Sequence, residues 1–170
     1  MVPGPVEGFR RLAFDALTVG ETFVSDDRLL RPEDLETYAF AVDDQHPWFT
    51  VPDDPAAPVD SPYGRPIAHP TLLGNQALFL RHTRYVVPAG LHAKMSFAFV
   101  RPLRLGVRAR SRGRIVDTYR RRGRGFMVTE FETVEEPSAD MLVRGHFTQM
   151  LFPDEEPIDG QSTGDAEAPC

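Results

Sequence analysis

The stretch Pro70-Thr71-Leu72-Leu73-Gly74-Asn75-Gln76-Ala77-Leu78-Phe79-Leu80 is apolar on most sides when it is wound as a helix. A proline is well tolerated in the first turn of a helix, because the N–H that it lacks would have no partner within the helix. Gly74 and Ala77 are small, as a helix that lies close against a sheet requires. We therefore predict a long, central and buried helix that begins at Pro70.

The chain on either side of this helix predicts a sheet. Downstream, residues 92–100 and 106–117 alternate along the chain between two kinds of side chain, as strands do, and 126–134 and 141–152 complete a set of four predicted strands separated by turn residues. Upstream, we predict a short strand over 21–30 and an amphipathic helix that starts near Pro32 and ends at Asp43-Asp44. This order predicts an α+β fold in which a curved antiparallel sheet is wrapped around the long central helix.

Composition and charge exclude several classes of protein. The chain has 170 residues and a net charge of −6, which argues against a general nucleic-acid binder. No apolar run approaches the length of a membrane-spanning helix, and we see no secretory signal at the N-terminus, so we expect a cytoplasmic protein with no membrane partner. The one cysteine, Cys170, excludes an intrachain disulfide and a cysteine-rich metal site.

The same pass along the chain predicts the domain organisation. Residues 1–13 form an N-terminal arm rich in proline and glycine, 14–153 form one domain, and 154–170 form a disordered acidic tail. No cluster of His, Asp and Glu has the spacing of metal ligands, and no glycine-rich phosphate loop lies between a strand and a helix. We therefore expect neither a metal nor a cofactor.

The residues with chemical capability lie between the two predicted helices. They occur in Asp43-Asp44-Gln45-His46-Pro47-Trp48-Phe49 and in Tyr63-Gly64-Arg65-Pro66-Ile67-Ala68-His69-Pro70-Thr71. A loop of this length inside a compact domain is usually functional. Carboxylate and imidazole groups can divide acid and base roles near neutral pH, and the first turn of a helix offers oriented N–H donors.

These two stretches resemble the MaoC-like hydratase/dehydratase family, whose hotdog-fold members carry a G-D-x-N-P-x-H loop and then a G-x-x-I-A-H-G helix entrance. The stretch Phe-Val-Arg-Pro-Leu-Arg-Leu-Gly at 99–106 is similar to the strand–turn element of the family. The resemblance covers roughly residues 14–152. It implies a single hotdog that adds water reversibly to 2-enoyl thioesters or removes it from 3-hydroxyacyl thioesters. It also implies an acyl-coenzyme A or acyl-carrier-protein thioester as substrate, and a homodimer.

The chain departs from the family motif at the positions that carry the chemistry. Asp44 aligns with the catalytic aspartate of the family, but Phe49 stands where the family has its catalytic histidine, and His46 stands where it has asparagine. At the helix entrance, Pro70 replaces the glycine whose N–H polarises the substrate carbonyl, and proline has no N–H to donate.

The resemblance nevertheless implies a catalytic site of Asp44 as base with His46 or His69 as its imidazole partner. A structural role stays open for each of the three residues. Asp44 can accept loop N–H bonds, His46 can bond loop carbonyls, and His69 can be architectural.

The remaining candidates would contact the substrate. Trp48 and Phe49 would form an apolar wall, and Pro70 would lie at the start of the helix. Thr71 would supply, through its N–H or its hydroxyl, the donor that Pro70 lacks. For Asn75, a bond to the ligand and a place as a satisfied core amide are equally open.

Three functions follow from these residues. The chain is a hydratase or dehydratase by itself, or a catalytically silent hotdog subunit that binds acyl chains and pairs with an active partner in a heterodimer, or an enzyme for a related elimination or isomerisation in a polyketide-like pathway. The stretch from Arg101 to Arg124 is rich in arginine and has one acidic residue, Asp117. It would bind the phosphates of the acyl carrier, or it is a solvated sheet face.

Overall fold

A computed structural model of the chain describes residues 10–52, 58–87 and 90–152. Within these ranges there are two α-helices, α1 (Pro32–Ala41) and α2 (Pro70–Leu78), and two short 3-10 helices over Phe14–Ala16 and Leu80–Thr83. The strands of the described part are β1 (Arg10–Arg11), β2 (Thr22–Val24), β3 (Arg28–Leu29), β4 (Tyr85–Val86), β5 (Gly90–Phe99), β6 (Arg108–Arg121), β7 (Arg124–Glu136) and β8 (Met141–Leu151).

The main sheet is antiparallel and has the strand order β2-β6-β7-β8-β5, with β3 also paired to β6. The hairpin of β6 and β7 turns at Arg122 and Gly123, which both have positive φ, as a tight reversal between strands requires. A second, two-stranded sheet joins β1 and β4 in parallel, so Arg10 and Arg11 are paired with the segment that follows α2. Because β5 ends the strand order of the main sheet, it forms one edge.

The alternation of residues along the strands places the core on one face of this sheet. Phe131 of β7 and Phe147 of β8 are nearly inaccessible to solvent, as is Ile115 of β6. Burying one such side chain stabilises the fold by roughly 1.5–3 kcal/mol relative to leaving it exposed. The helix α2 packs against this face through contacts with β6, β7 and β8.

Gly74 lets α2 approach the edge strand closely. A Cβ atom at this position would lie 2.8 Å from Cζ of Phe97, which is too close for any side chain. Ala77 is fully buried on the same helix. Both observations agree with the expectation that small residues allow this helix to lie against the sheet.

The helix α1 has its start specified by its own sequence. Pro32 occupies the first turn, where a missing N–H is harmless, and Oδ2 of Asp34 accepts the backbone N–H of Arg31 at 2.9 Å. Leu35 and Ala39 are buried, and they define the face that packs against the protein. The predicted amphipathic helix that ends before Asp43-Asp44 is therefore confirmed.

Two predicted elements were wrong in extent. The strand expected over 21–30 is two strands, because residues 25–27 face only residues 110 and 111 of β6 and interrupt the ladder like a bulge. The central helix is shorter than predicted: α2 ends at Leu78 and continues as a 3-10 helix, in which the hydroxyl of Thr83 donates to the carbonyl of Leu80 at 2.7 Å. Phe79, expected on a buried helix, is 64% exposed.

The four strands predicted after the helix are present, with shifted ends. The β6–β7 hairpin is longer than predicted because cross-strand pairing continues to Arg121 and Arg124. Most of the expected N-terminal arm and all of the expected acidic tail lie outside the described residues.

Candidate active site

Asp44 lies in the turn that ends α1. Asp43 has a φ of 54°, and the N–H of Asp44 donates to the carbonyl of Ala39 at 3.0 Å, so the helix closes with a left-handed residue. The Oδ1 atom of Asp44 then accepts the N–H of His46 at 3.1 Å, which holds the following turn. One carboxylate oxygen is therefore engaged by the loop, and the other is directed elsewhere.

That second oxygen faces His69. The Nε2 atom of His69 lies 3.4 Å from Oδ2 of Asp44, and the His69 side chain is 19% exposed while that of Asp44 is 40% exposed. The segment before α2 is fixed by two backbone bonds, from the N–H of Ile67 to the carbonyl of Trp48 and from the N–H of Ala68 to the carbonyl of Leu103, both 2.8 Å. The fold thus brings an imidazole and a carboxylate together at the start of α2.

The other ring nitrogen of His69 is bonded to Thr71. Nδ1 accepts the N–H of Thr71 at 3.3 Å and lies 2.8 Å from its hydroxyl oxygen. The Thr71 hydroxyl is 2.9 Å from the hydroxyl of Tyr38, which in turn accepts a hydrogen bond from Nδ2 of Asn75 at 2.6 Å. A continuous, partly buried hydrogen-bond chain therefore runs from His69 through Thr71 to Tyr38 and Asn75, and Asp44 lies against the outer nitrogen of His69.

The described contacts of the His46 ring do not include the side chains of Asp44 and His69. Its Nδ1 accepts the N–H of Trp48 at 3.2 Å, and its ring packs against Trp48 and Phe49 with centroid distances of 5.0 and 5.6 Å. The side chain is exposed. Its bond to Asp44 is made by the backbone N–H, so in this structure His46 shapes the loop.

Phe49 and Trp48 form apolar surface beside the histidine. The Phe49 ring meets the His69 ring edge-on, with a centroid distance of 4.8 Å, and Trp48 packs in the same manner against Tyr63 at 6.0 Å. Such edge-to-face contacts are favourable for aromatic rings. Phe49 therefore fixes one side of the imidazole without being able to transfer a proton.

The N–H groups in the first turn of α2 donate to His69 and are not free for a substrate. Pro70 has none, the N–H of Thr71 donates to the His69 ring, and the N–H of Leu72 donates to the His69 carbonyl at 2.9 Å. The sequence assigned the N–H or hydroxyl of Thr71 to a substrate oxygen. In this structure both groups of Thr71 are bonded to His69, and the hydroxyl is bonded to Tyr38 as well.

Tyr38 is the member of this site that sequence reasoning missed. In the sequence it stands at helical spacing with Leu35 and Ala39 on α1, and nothing in that spacing marks it as a site residue. A buried tyrosine usually finds a partner for its hydroxyl, and that rule was the signal that could have pointed to a polar neighbour. The ring of Tyr38 also packs against the ring of His69, with a centroid distance of 5.5 Å.

Arg81, in the 3-10 helix after α2, is a second residue that the sequence did not single out. Its Nε and Nη1 atoms are buried and have no hydrogen-bond partner in the part of the chain that the structure describes. Burial lowers the pKa of Arg81 to about 10. Burial also lowers the pKa of His82 and of His92, and the positive charge of Arg81 lowers both further.

The arginines of β6 are paired with acidic residues. Arg112 contacts Glu132 across the sheet, and Arg114 lies 3.2 Å from Glu130. Ion pairs of Arg108 with Asp27 and of Arg110 with Glu136 continue the ladder. Exposed pairs of this kind contribute about 0–1 kcal/mol each. The pairing favours a solvated sheet face over a phosphate site.

A cavity of about 890 Å³ lies against the charged ladder rather than at Asp44 and His69. Its polar lining comes mainly from Arg112, Arg114, Glu130, Glu132, Arg144 and His146. Most of these groups pair with one another, and none belongs to the hydrogen-bond chain around His69. We therefore assign the candidate active site by the geometry of its functional groups and not by the size of this cavity.

Among the residues that the structure describes, no three His, Cys, Asp or Glu side chains are grouped so that they could hold a metal ion. None of the helices in that part of the chain has the length and apolar character needed to cross a membrane.

Comparison with known proteins places the chain by its structure alone. No protein-family model matches it, and no curated protein matches its sequence. Among solved structures, it is similar to the unliganded R-hydratase PhaJ1 from Pseudomonas aeruginosa, with a TM-score of 0.70 and 18% identity over 86% of this chain and 89% of that chain.

Two other solved structures are similar to the chain. The MaoC-like dehydratase from Rhodospirillum rubrum matches with a TM-score of 0.64 and 18% identity, over 85% of this chain and 99% of that chain. The C-terminally truncated HadBC (3R-hydroxyacyl-ACP dehydratase) complex from Mycobacterium tuberculosis matches with a TM-score of 0.62 and 22% identity, over 78% of this chain and 96% of that chain.

At these identities the likeness establishes the architecture and leaves the activity to the residues of the site. The predicted α+β class is confirmed: an antiparallel sheet carries α2 against one face, as in the matching structures. The chain has the hotdog fold of the MaoC-like dehydratases and R-hydratases.

Proposed function

We propose that this protein is a hydro-lyase of the MaoC-like type that acts on acyl thioesters, adding water to 2-enoyl thioesters or removing it from 3-hydroxyacyl thioesters. The observation that carries the proposal is the approach of Nε2 of His69 to Oδ2 of Asp44 at 3.4 Å. Phe49 removes the imidazole of the family motif, and His69 supplies another beside the same carboxylate. The site therefore keeps both kinds of group that the reaction needs.

In the hydration direction, Asp44 takes a proton from water while the water oxygen bonds to the β-carbon of the enoyl group. The electron pair of the C=C bond moves toward the thioester carbonyl and gives an enolate. The proton then passes from Asp44 to the α-carbon, which completes the 3-hydroxyacyl product and restores the carboxylate. Dehydration follows the same steps in reverse. Positioned acid/base catalysis of this kind contributes roughly 10²- to 10⁴-fold in rate.

The enolate oxygen needs a hydrogen-bond donor, and the first turn of α2 does not offer the donor used in the family. Pro70 lacks an N–H, and Thr71 is bonded to His69. Asn75 has two N–H groups on Nδ2, one of which donates to Tyr38. In our proposal the second N–H of Asn75 binds the thioester oxygen. Removing such a donor typically costs about 100- to 1,000-fold in rate.

We propose coenzyme A or an acyl carrier protein as the carrier and a homodimer as the assembly. The edge strand β5 supports the dimer, because among the described residues its outer backbone groups have no neighbouring strand and could pair with a second copy. Its exposed apolar residues, Leu91 and Phe99, and the adjacent Val100 would be covered by that pairing. A self-association measurement with a charged substitution at Leu91 tests this arrangement.

The first experiment is hydration of a short enoyl-coenzyme A by the purified chain, beside Asp44→Asn and the matched variant Asp43→Asn. Asparagine tolerates the positive φ of position 43, so Asp43→Asn keeps the turn and removes only a neighbouring charge. We expect turnover in the wild type and in Asp43→Asn, and loss of turnover in Asp44→Asn with a nearly unchanged Tm. A large fall in Tm for Asp44→Asn would instead identify the carboxylate as a structural cap.

A second function is supported by Phe49 and Pro70, which remove the imidazole and the N–H donor from their motif positions. In this alternative the chain is a catalytically silent subunit that binds acyl chains and pairs with an active hotdog in a heterodimer. Absence of turnover by the wild type, together with binding of an acyl thioester, would support it. A product screen over several thioesters and free acids would detect the third option, a related elimination or isomerisation.

A further inference from the structure

We propose that Tyr38 is a positioning residue that acts through Thr71 to hold the imidazole of His69 in the tautomer whose proton lies on Nε2, toward Asp44. The catalytic meaning of this arrangement rests on the function proposed above. The tautomer itself is a property of the folded protein and can be measured without any substrate.

The donor and acceptor roles at His69 follow from a group that can only donate. The backbone N–H of Thr71 points at Nδ1 from 3.3 Å, a long contact that favours a lone pair on this nitrogen without fixing it. A neutral imidazole carries one N–H, so this contact favours the proton on Nε2, and the hydroxyl of Thr71 adds to that preference when its own proton points at Nδ1. That nitrogen is the one that lies 3.4 Å from Oδ2 of Asp44.

A second donor-only group, at the far end of the chain of hydrogen bonds, sets the direction of the hydroxyls. Nδ2 of Asn75 donates to the oxygen of Tyr38 at 2.6 Å, so the hydroxyl proton of Tyr38 is free to point to Oγ1 of Thr71, 2.9 Å away. The Thr71 hydroxyl then donates to Nδ1 of His69 at 2.8 Å. All links point the same way, and partly buried bonds in series strengthen one another.

The other tautomer would make the contacts of both ring nitrogens of His69 unfavourable. A proton on Nδ1 would face the N–H of Thr71, and a lone pair on Nε2 would face a carboxylate oxygen of Asp44. With the proton on Nε2, His69 donates to Asp44 and orients the oxygen that meets water in the proposed reaction. Tyr38 touches neither Asp44 nor any reacting atom in this scheme, and its hydroxyl reaches Nδ1 of His69 through Thr71.

Side-chain ¹⁵N NMR of the histidines tests the tautomer directly. We expect the wild-type spectrum to show an unprotonated Nδ1 and a protonated Nε2 for His69. Tyr38→Phe keeps the ring that packs against His69 and removes the hydroxyl, and it should shift His69 toward a mixture of tautomers, as should Thr71→Val. Tyr85→Phe is the control, because that hydroxyl donates to Glu21 at 2.6 Å, outside the site. A proton on Nδ1 in the wild type, or an unchanged tautomer in Tyr38→Phe, would overturn the proposal.

Kinetics with an enoyl-coenzyme A test how the effect is transmitted. A single lost hydrogen bond predicts a fall of ~3- to 10-fold in kcat for Tyr38→Phe, with KM little changed. The kcat of Thr71→Val should fall further, because the lost Thr71 hydroxyl bonds the His69 ring itself. Thr71→Ser keeps a hydroxyl and should retain kcat. The His69 tautomer in the double variant Tyr38→Phe/Thr71→Val should equal that in Thr71→Val, because the Tyr38 hydroxyl reaches Nδ1 through Thr71. An additive change in the tautomer would overturn the relay. If the wild type has no turnover, the proposed function fails and the NMR result alone decides the tautomer.

Discussion

The Nε2 atom of His69 lies 3.4 Å from Oδ2 of Asp44, although Asp44 follows α1 and His69 precedes α2. The two segments meet because the loop and the helix entrance share a backbone hydrogen bond from Ile67 to Trp48. Phe49 packs its ring edge-on against the same histidine. An imidazole thus reaches the carboxylate from the helix entrance, while the loop position that holds histidine in the family motif contributes an apolar ring.

Exchange of each histidine for glutamine distinguishes the two imidazoles. His69→Gln should lower kcat/KM for enoyl-thioester hydration by about 100-fold or more, because it removes the partner of Asp44. His46→Gln should change it little, because the described contacts of the His46 ring lie within its own loop. Steady-state rates of both variants provide the measurement. An equal loss in both, or a larger loss in His46→Gln, would contradict the assignment of His69.

Substitution of Phe49 by histidine restores the imidazole of the family motif. We expect Phe49→His to raise hydratase activity, because an imidazole that can transfer a proton would then stand beside Asp44 and His69. Phe49→Leu is the matched control, since it removes the aromatic contact without adding a titratable group. Initial rates should rank Phe49→His above the wild type and Phe49→Leu below it. Absence of any gain in Phe49→His would count against the alignment of this position with the motif.

Acid should destabilise the fold through His82 and His92. Burial, and secondarily the charge of Arg81, lowers the pKa of both histidines below 6.5. As the pH falls below about 6.5, the unfolded chain therefore takes up protons before the folded chain does, and the free energy of unfolding decreases. Urea unfolding between about pH 7 and pH 5.5 measures this slope. His92→Gln should flatten it, and an unchanged slope in both His82→Gln and His92→Gln would contradict the prediction.

Removal of the buried guanidinium should stabilise the isolated chain. Nε and Nη1 of Arg81 have no acceptor among the described residues, and an unpartnered buried polar group costs roughly 1–3 kcal/mol. Arg81→Met keeps much of the volume and removes the donors, so we expect a higher urea midpoint. Arg84→Met is the control, because Arg84 is largely exposed and lies 3.9 Å from Glu21. A lower midpoint for Arg81→Met would show that the guanidinium finds an acceptor in the assembled protein.

Local sequence patterns predicted the helices and strands well where one physical cue dominates. Pro32 with Asp34 marks the start of α1, and the two-residue alternation along most of β7 marks its buried face. The prediction failed where a local cue was passed over. Residues 25–27 are Ser-Asp-Asp, and aspartate is depleted in strands; here three residues stand opposite two of β6 and the strand is interrupted.

The sequence by itself determined the fold class and the small set of polar residues that can carry chemistry, because periodicity and turn residues act over a few neighbouring positions. Tertiary structure decided which of those residues meet. The choice of His69 over His46 as the neighbour of Asp44, and the bonding of Thr71 to His69 and Tyr38, depend on side chains from separate segments. Distances between such groups are set by how α1, the loop and α2 pack together, and no local pattern encodes them.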